Sequence, residues 1–284
     1  FFSTPHLAAD PGDLYLNNPA NPAQEELVTG SLLNVIRSVQ ELERLVQMVE
    51  EGTPDLPTLA LIDGSLVLWG LSGQGYPPFV RDAIIGRRLL AALDRIRDLS
   101  RRRPVTLAAY VSMPRSAEVV NAVRSCFCTH DQVLCRESCS NRRSIHAPCD
   151  MANNVLDRDM FQMLLSPGFR SPLYLTNSSV SREYYGEHQV YFYYIHGETE
   201  IGRVEVPKWV AEDENLLALS HSLILDQCRR GQGYPVAISE AHEQAVVRTG
   251  DRHIFKEMVS RALEQQGLTA YTSEKERSKR TPWV

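Results

Sequence analysis

Asp63 is the carboxylate whose position in the sequence is best suited to chemistry. It ends the apolar run LALID, and Gly64 and Ser65 follow it directly. A carboxylate at the end of a buried strand costs solvation free energy unless a metal ion or hydrogen bonds satisfy it. Phosphodiester hydrolysis with Mg²⁺ or Mn²⁺ needs oxygen ligands from separate elements, and two ions about 3.5–4 Å apart can hold the attacking and leaving oxygens. The alternative is that Asp63 opens a tight hairpin turn, in which Asp-Gly is a favoured pair.

Glu118 and an acid near residue 157 are further carboxylates that could share a cation with Asp63. Glu118 stands in PRSAEVV near the predicted start of a helix, where it could also be an exposed residue stabilised by the helix dipole. Asp157 and Asp159 stand in LDRDMF and compete for one ligand position, because a single residue separates them. Three acids from separate elements would meet the oxygen preference of Mn²⁺ or Mg²⁺.

Tyr234 and His242 form a spaced pair near the C-terminus, in GYPVAISEAHEQ. An imidazole with a pKa near neutrality can ligate a metal or protonate a leaving group. A tyrosine can position a phosphate or stack on a base. On the residues alone, His242 is equally typical of a satisfied surface or core position on an amphipathic helix, and Tyr234 of packing beside Pro235.

Five of the six cysteines lie within residues 126–149, in a stretch without periodicity. Thiols clustered in a loop indicate a metal that holds the loop shut. The set of Cys128, Cys135, Cys139 and Cys149 could bind tetrahedral zinc, and an iron–sulfur cluster would use the same ligand type. The spacing lacks the C-x₂-C pair of a zinc ribbon, so free thiols or one to two disulfides stay open. The chain is not a small secreted scaffold, which favours a reducing compartment such as the cytoplasm.

The overall composition sets limits on the function. The formal net charge is −5, which argues mildly against a nonspecific nucleic-acid coat, since such a protein normally carries a basic excess. A nuclease stays compatible with this charge, because metal-binding acids lower the count. No apolar run is long enough to span a bilayer, so we expect no membrane partner.

The helices and strands predicted from the sequence, which must position these side chains, indicate an α/β fold. Hydrophobic periodicity predicts helices over 25–49, 78–102, 115–124, 157–165, 214–229, 239–248 and 251–266. Strands are predicted as a hairpin around the Asp63–Ser65 turn, over 105–112, 172–177, 189–196 and 200–206, and in the short segment VAIS. Residues 1–23 are expected to form an irregular arm, and 24–284 one domain with a Cys-rich insert at about 126–149. One mixed central β-sheet flanked by helices fits this order.

Five segments of the chain, in order, resemble the NurA family. They are LALIDGSLVLW, AAYVSMPRSAEVVNAVR, LDRDMFQMLLSPGFRSPLY, VYFYYIHGETEIGRVEVPKWVA and GYPVAISEAHEQAVVRTGDRHIFKEMV. The second, third and fifth are the most specific, because an Asp-Gly-Ser strand recurs in many RNase H-like proteins. The resemblance extends over nearly the whole chain, and the Cys-rich insert is where the chain departs from the family pattern.

This resemblance implies an RNase H-like nuclease that cleaves DNA, exo- or endonucleolytically, with Mn²⁺ (or Mg²⁺), using two ions. It also implies a homodimer that works with a HerA-type hexameric ATPase in processing DNA ends. By position, Asp63 matches the first metal-binding Asp of the family. Glu118, Asp157 and His242 are the expected further ligands, and Tyr234 joins them as a catalytic residue. Counting back from LLSPGFRS favours Asp157 over Asp159.

Two other classes of function stay open. The first is a catalytically inactive RNase H-like scaffold that binds DNA or a partner subunit, with a structural metal site in the Cys-rich insert. The second is a redox or metal sensor built around that insert. The uncertain second acid, Glu118, is the feature that keeps the inactive scaffold in consideration.

Overall fold

The computed structural model describes residues 14–72, 75–128, 133, 150, 152–246, 249–265 and 267. The chain forms two compact units. Pro11–Glu240 make up the larger unit, and Ala241–Val284 belong, with Phe1–Asp10, to the second. The central sheet and its surrounding helices all lie in the larger unit.

The described strands and helices alternate along the chain. The strands are β1 (Tyr15–Asn17), β2 (Glu25–Leu27), β3 (Thr58–Asp63), β4 (Val105–Val111), β5 (Tyr174–Leu175), β6 (Val190–His196) and β7 (Ile201–Pro207). The helices are α1 (Gly30–Glu51), α2 (Pro78–Arg81), α3 (Leu90–Ser100), α4 (Glu118–Phe127), α5 (Asp157–Leu164), α6 (Ser179–Tyr184), α7 (Lys208–Ala211), α8 (Glu214–Arg230), α9 (Val236–Ala245) and α10 (Thr249–Gln265). A π-helical segment, Asp82–Leu89, joins α2 to α3. None of these helices combines the length and the apolar character that crossing a membrane requires.

The central sheet has five strands in the order β3-β4-β7-β6-β5. β3 and β4 are parallel, and α2 and α3 lie between them in the sequence. The pairs β4–β7, β7–β6 and β6–β5 are antiparallel. The predicted fold class, α/β with a mixed central sheet flanked by helices, is confirmed.

Helices cover both faces of this sheet, which explains the almost continuous apolar character of β4. On one face, Leu107 and Ala109 share a core with residues of α1 and α3, such as Val39 and Leu93. On the other face, Ala108 packs in a core with residues of α8 and with β7. A strand buried on both faces reads as an uninterrupted apolar run rather than as an alternation, and VTLAAYV is such a run.

The hairpin predicted after Asp63 is wrong. β3 pairs with β4 as a parallel strand, and no returning strand follows; the next regular element is a 3₁₀ turn at Trp69–Leu71. Gly64 leaves the strand with φ of +104°, a conformation that strains side chains with a Cβ. The apolar residues after the turn are buried because they pack in the core against α1.

Several predicted boundaries are also wrong. The helix predicted from residue 25 begins at Gly30, because Glu25–Leu27 pair with Tyr15–Asn17 as a small two-stranded sheet. The arm predicted over 1–23 therefore contains a strand. The segment VAIS is the start of helix α9 rather than a strand, and the following Glu-Ala-His-Glu residues continue it with a helical period. The remaining predicted helices and strands are confirmed within a few residues at each end.

Candidate active site

Asp63 and Tyr234 meet at the end of β3. The Tyr234 hydroxyl donates to Asp63 Oδ1 at 3.3 Å, although the two residues are 171 positions apart. Asp63 is exposed, and it stands opposite Tyr110 in the parallel register. The rings of Tyr110 and Tyr234 pack edge to face with centroids 5.8 Å apart. The fold thus brings a carboxylate and a phenol from distant segments into one cluster.

Tyr234 is protonated at neutral pH. Its pKa is raised to about 12, first by partial burial and then by the negative charge of Asp63 beside it. A phenol with so high a pKa keeps its proton at pH 7 and therefore acts as a hydrogen-bond donor rather than as a nucleophile. In this cluster it can orient the Asp63 carboxylate or donate to an oxygen of a bound phosphate.

A second carboxylate, Glu200, belongs to the same cluster and is absent from the sequence-based candidates. It accepts hydrogen bonds of 2.9 Å from the Tyr110 hydroxyl and from Ser112 Oγ. Its charge also contributes to the raised pKa of Tyr234. In the sequence it stands in the turn HGETE between two strands, where an acid is ordinary, so no local signal separates it from a solvated loop residue.

Glu118 lies in an ion network around Arg203. Arg203 Nη1 donates to Glu118 Oε1 at 2.8 Å, and Arg203 Nε donates to Glu205 Oε1 at 2.9 Å. Glu118 also accepts from the backbone N–H of Asn177 at 2.9 Å and from Thr176 Oγ1 at 3.2 Å. Its carboxylate is therefore already neutralised and hydrogen-bonded on both oxygens.

Glu205 is a second acid that the sequence-based candidates omit. Its side chain is buried, and Oε2 accepts from Ser65 Oγ at 2.7 Å and from the backbone N–H of Leu66 at 2.9 Å. Glu205 and Arg203 alternate with apolar residues in the strand sequence IGRVEVP. Two charges in a buried strand are the signal that could have identified this network, since such charges must be paired.

Asp157 is fully buried and caps helix α4. It accepts from the backbone N–H groups of Val120 at 2.8 Å and Val119 at 3.2 Å. Tyr194 Oη donates to it at 2.7 Å and Ser116 Oγ at 3.3 Å. The Asp157 carboxylate thereby satisfies two of the free N–H groups at the start of α4.

Asp159, the competing candidate, lies on the exposed side of α5. Its Oδ2 accepts from the backbone N–H of Leu156 at 3.1 Å, which caps its own helix. In the described part of the chain neither acid shares a hydrogen-bond partner with Asp63, and both accept hydrogen bonds at helix starts.

The sheet register separates the predicted acids. Residues in register on neighbouring strands project to the same face, and Asp63 is in register with Tyr110, which pairs with Val204. Glu205 pairs with Ala109 in the adjacent row and therefore projects to the opposite face. Glu118 contacts Arg203, and Asp157 contacts Tyr194. Tyr194 and Arg203 are paired, and Arg203 lies two residues before Glu205 in β7, so both project to that opposite face. His242 is exposed on α9 and belongs to the second compact unit.

The fit of these residues to a metal ion is partial. Asp63 offers an exposed carboxylate that accepts one hydrogen bond from the described residues, which suits a hard cation such as Mn²⁺ or Mg²⁺. Within the described ranges, however, no group of at least three His, Cys, Asp or Glu side chains lies close enough to hold an ion. Glu118 and Asp157 would first have to leave the partners that hold them.

The Cys-rich insert is described only at its ends. Cys126 is exposed and Cys128, which follows the last residue of α4, is partly buried; neither is bonded to another described cysteine. Cys135, Cys139 and Cys149 lie outside the described residues. The zinc or iron–sulfur site expected from these cysteines therefore stays a prediction.

Comparison with models of protein families gives a match over most of the chain. The family model described as the NurA domain matches residues 11–247, which is most of the chain and contains all the acids discussed above. No curated protein and no solved structure shows significant similarity to the chain.

Proposed function

Because this chain belongs to the NurA family, a family of DNA nucleases, we propose that it hydrolyses phosphodiester bonds in DNA at the cluster of Asp63 and Tyr234. The observation that carries the proposal is the hydrogen bond of 3.3 Å between these two side chains. The family resemblance expects both residues in one site, and no local property of the sequence requires them to meet.

The proposal includes a divalent cation, with Mn²⁺ as the ion and Mg²⁺ as the alternative. Asp63 is the ligand that this chain offers most readily, and Glu118, Asp157 and His242 are proposed to complete the set. Such ions polarise the phosphate and stabilise the attacking and leaving oxygens. Glu118 and Asp157 contact the opposite face of the sheet from Asp63 and would have to give up their present hydrogen bonds to reach the metal, so they are the weakest part of the ligand set.

The part played by Tyr234 follows from its protonation. With a pKa of about 12 it keeps its proton at neutral pH, so it donates a hydrogen bond rather than attacking phosphorus. Its hydrogen bond to Asp63 Oδ1 fixes the orientation of the carboxylate, and with it the direction of the other oxygen, Oδ2. The tyrosine is thus proposed to orient the carboxylate and, with DNA bound, to contact a phosphate oxygen.

The biological setting is proposed from the family resemblance. It comprises exo- or endonucleolytic processing of DNA ends, a homodimer, and a HerA-type ATPase as partner. The ATPase matters for the test, because a nuclease subunit that needs its partner would show little activity alone.

A second candidate function, an inactive RNase H-like subunit that binds DNA or a partner, is favoured by one observation. Glu118 and Asp157 are held by an arginine, by backbone N–H groups and by hydroxyl groups. An inactive subunit would keep these structural contacts and would need no ligand set around Asp63.

Cleavage of labelled single- and double-stranded DNA in Mn²⁺, in Mg²⁺ and in EDTA tests the proposal, with and without a HerA-type ATPase. We expect metal-dependent cleavage by the wild type and none by Asp63→Asn. Tyr234→Phe should lose about 100-fold in rate, the usual effect of removing one donor from a transition state.

Tyr184→Phe is the matched control, because Tyr184 is a partly exposed tyrosine whose hydroxyl accepts from Arg81 and does not contact Asp63. It should cleave like the wild type. If the wild type with its ATPase cleaves neither substrate in either metal, the nuclease proposal is refuted and the inactive subunit is favoured.

A further inference from the structure

We propose that the cleft beside Asp63 binds one nucleotide of the DNA strand, with its base stacked on Trp69 and its phosphate paired with Arg115. The inference rests on the proposed function, because it takes DNA as the ligand. It concerns a nucleotide next to the reacting phosphate, and it assigns binding roles to two residues outside the catalytic cluster.

The Trp69 side chain is exposed to solvent, although apolar residues close to it in the sequence are buried. Its exposed fraction is 48%, whereas Leu68 and Leu71 on either side are 5% and 3% exposed. Burying a tryptophan is strongly favourable, and the neighbouring residues of the same turn do enter the core. The exposed ring is therefore available to a flat apolar ligand.

The Trp69 ring is held in one orientation. Its Nε1–H donates to Ser65 Oγ at 3.0 Å, and Ser65 Oγ in turn donates to the buried Glu205 at 2.7 Å. The turn itself lies tightly on α1, because a Cβ built at Gly70 would stand 2.6 Å from Val35 Cγ2. A ring fixed before binding loses little conformational freedom when a base stacks on it.

Trp69 stands between two depressions that meet at Gly64 and Ser65. One, of about 400 Å³, includes Asp63 in its lining. The other, of about 700 Å³, includes Arg115 and Arg203. Both volumes are in the range of small-ligand sites. A DNA strand with a phosphate at Asp63 would therefore pass over the Trp69 ring to reach Arg115.

Arg115 is the cation of this cleft that can receive a phosphate. Arg203 also lines the cleft, but Glu118 and Glu205 already neutralise it. Arg115 is exposed, and in the described part of the chain no hydrogen bond or ion pair engages its guanidinium. A guanidinium pairs readily with phosphate oxygens. An exposed ring and a free guanidinium in one cleft match the base and the phosphate of a nucleotide.

The test measures binding of a fluorescent single-stranded oligonucleotide to the full chain in EDTA, where no cleavage intervenes. Trp69→Ala should weaken binding about tenfold, while Trp69→Phe keeps most of the affinity, because any aromatic face stacks on a base. A series of oligonucleotides, each with one base removed, should contain one position at which the missing base weakens binding to the wild type. The same oligonucleotide should bind Trp69→Ala as tightly as the intact one does. Arg115→Ala should make the slope of log K against log[salt] shallower by about 0.7, the value for one phosphate contact on a single strand.

Phe169→Ala and Arg102→Ala are the matched controls, since Phe169 is 66% exposed and Arg102 is exposed, and neither lines the two depressions. Both should bind like the wild type. The inference is overturned if the wild type does not bind the oligonucleotide or if Trp69→Ala binds it within twofold of the wild-type affinity. It is also overturned if no abasic site weakens binding to the wild type more than binding to Trp69→Ala. Wild-type binding that depends on Trp69 without cleavage in any metal would refute the nuclease proposal and leave this subsite standing. If the wild type cleaves DNA but Trp69→Ala binds the oligonucleotide as tightly as the wild type, only the nucleotide subsite is refuted.

Discussion

At the scale of single residues, the carboxylates near this site differ most in how many donors already hold them. From the described residues Asp63 accepts one hydrogen bond, donated by Tyr234. Asp157 accepts four, from two backbone N–H groups, a tyrosine and a serine. Because a metal ligand must have free oxygen lone pairs, Asp63 is ready for a cation and Asp157 is not. The chemistry proposed for this chain therefore depends mainly on Asp63.

Asp157→Ala tests whether this acid is primarily structural. The substitution leaves two backbone N–H groups and the Tyr194 hydroxyl buried without a partner, so we expect the free energy of unfolding to fall by about 3 kcal/mol. The measurement is urea unfolding in EDTA, which removes any contribution of bound metal.

Asp159→Ala is the comparison, because Asp159 is more exposed, accepts from the Leu156 N–H and otherwise pairs with the neighbouring Arg158 at 3.6 Å. It should lose about 1 kcal/mol or less. Unchanged or increased stability of Asp157→Ala in EDTA would contradict a capping role, since a carboxylate kept for metal binding destabilises the metal-free protein.

At the scale of elements, the segment after β3 is held by a strand far away in the sequence. Glu205 of β7 binds Ser65 Oγ and the Leu66 N–H, and the Tyr185 hydroxyl accepts from the Leu68 N–H at 3.0 Å. Side chains thus satisfy backbone donors that a hairpin partner would have satisfied. This arrangement fixes the residues that follow Asp63 and, through Ser65, the Trp69 ring.

Glu205→Leu should therefore destabilise the protein and disturb the site together. Removing one partner of a buried ion pair costs about 3–5 kcal/mol, and here the Leu66 N–H also loses its acceptor. We expect a loss of this size in urea unfolding and, in the cleavage assay, a lower rate because the residues beside Asp63 are no longer fixed.

Glu187→Leu serves as the control for charge removal, since Glu187 pairs with Lys208 at the surface and its side chain is 74% exposed. It should cost less than about 1 kcal/mol. A Glu205→Leu variant as stable as this control would show that the buried network does not stabilise the fold.

At the scale of the whole molecule, buried titratable groups set the pH range of stability. Burial raises the pKa of Tyr193 to about 12 from 10.0. Burial lowers the pKa of His188 below 6.5, against the opposing effect of Asp94. His188 is neutral in this arrangement, because its Nδ1 accepts from the Trp209 indole and its Nε2 faces Asp94 at 3.0 Å.

The contributions of Tyr193 and His188 to stability change with pH in opposite directions. A tyrosine whose pKa is raised on folding stabilises the protein below its unfolded pKa of 10.0, and this contribution is lost as pH rises towards 12. A histidine whose pKa is lowered on folding stabilises the protein above 6.5, and this contribution is lost as pH falls below that value.

We therefore expect the free energy of unfolding to be highest between about pH 7 and pH 10 and to fall on both sides. Urea unfolding across the pH range measures this. Tyr193→Phe should reduce the alkaline fall in part, because burial also raises the pKa of Tyr185 and Tyr194, and His188→Gln should reduce the acidic one in part, because burial also lowers the pKa of His221. Equal pH dependence in wild type and variants would show that these groups do not set the limits.

Much of the architecture was predictable because its cause is local. The apolar period of α1 and α8, the continuous apolar run of β4 and the order of β6 and β7 follow from hydrophobic patterns within each segment. The errors occurred where a local pattern had two solutions. Asp-Gly after a strand fits a hairpin turn, and only the parallel partner β4 and the core position of Leu66–Leu68 exclude it.

The sequence by itself determined the fold class, the family and the candidate acids, because these depend on periodicity and on motifs that can be read along the chain. Only the tertiary structure decided which candidates share a site. It placed Tyr234 beside Asp63, added Glu200 and Glu205, and engaged Asp157 in capping α4. The physical reason is that a buried polar group such as Asp157 or Glu205 must find a partner wherever the fold supplies one, and that tertiary structure alone brings together residues as far apart in the sequence as Asp63 and Tyr234.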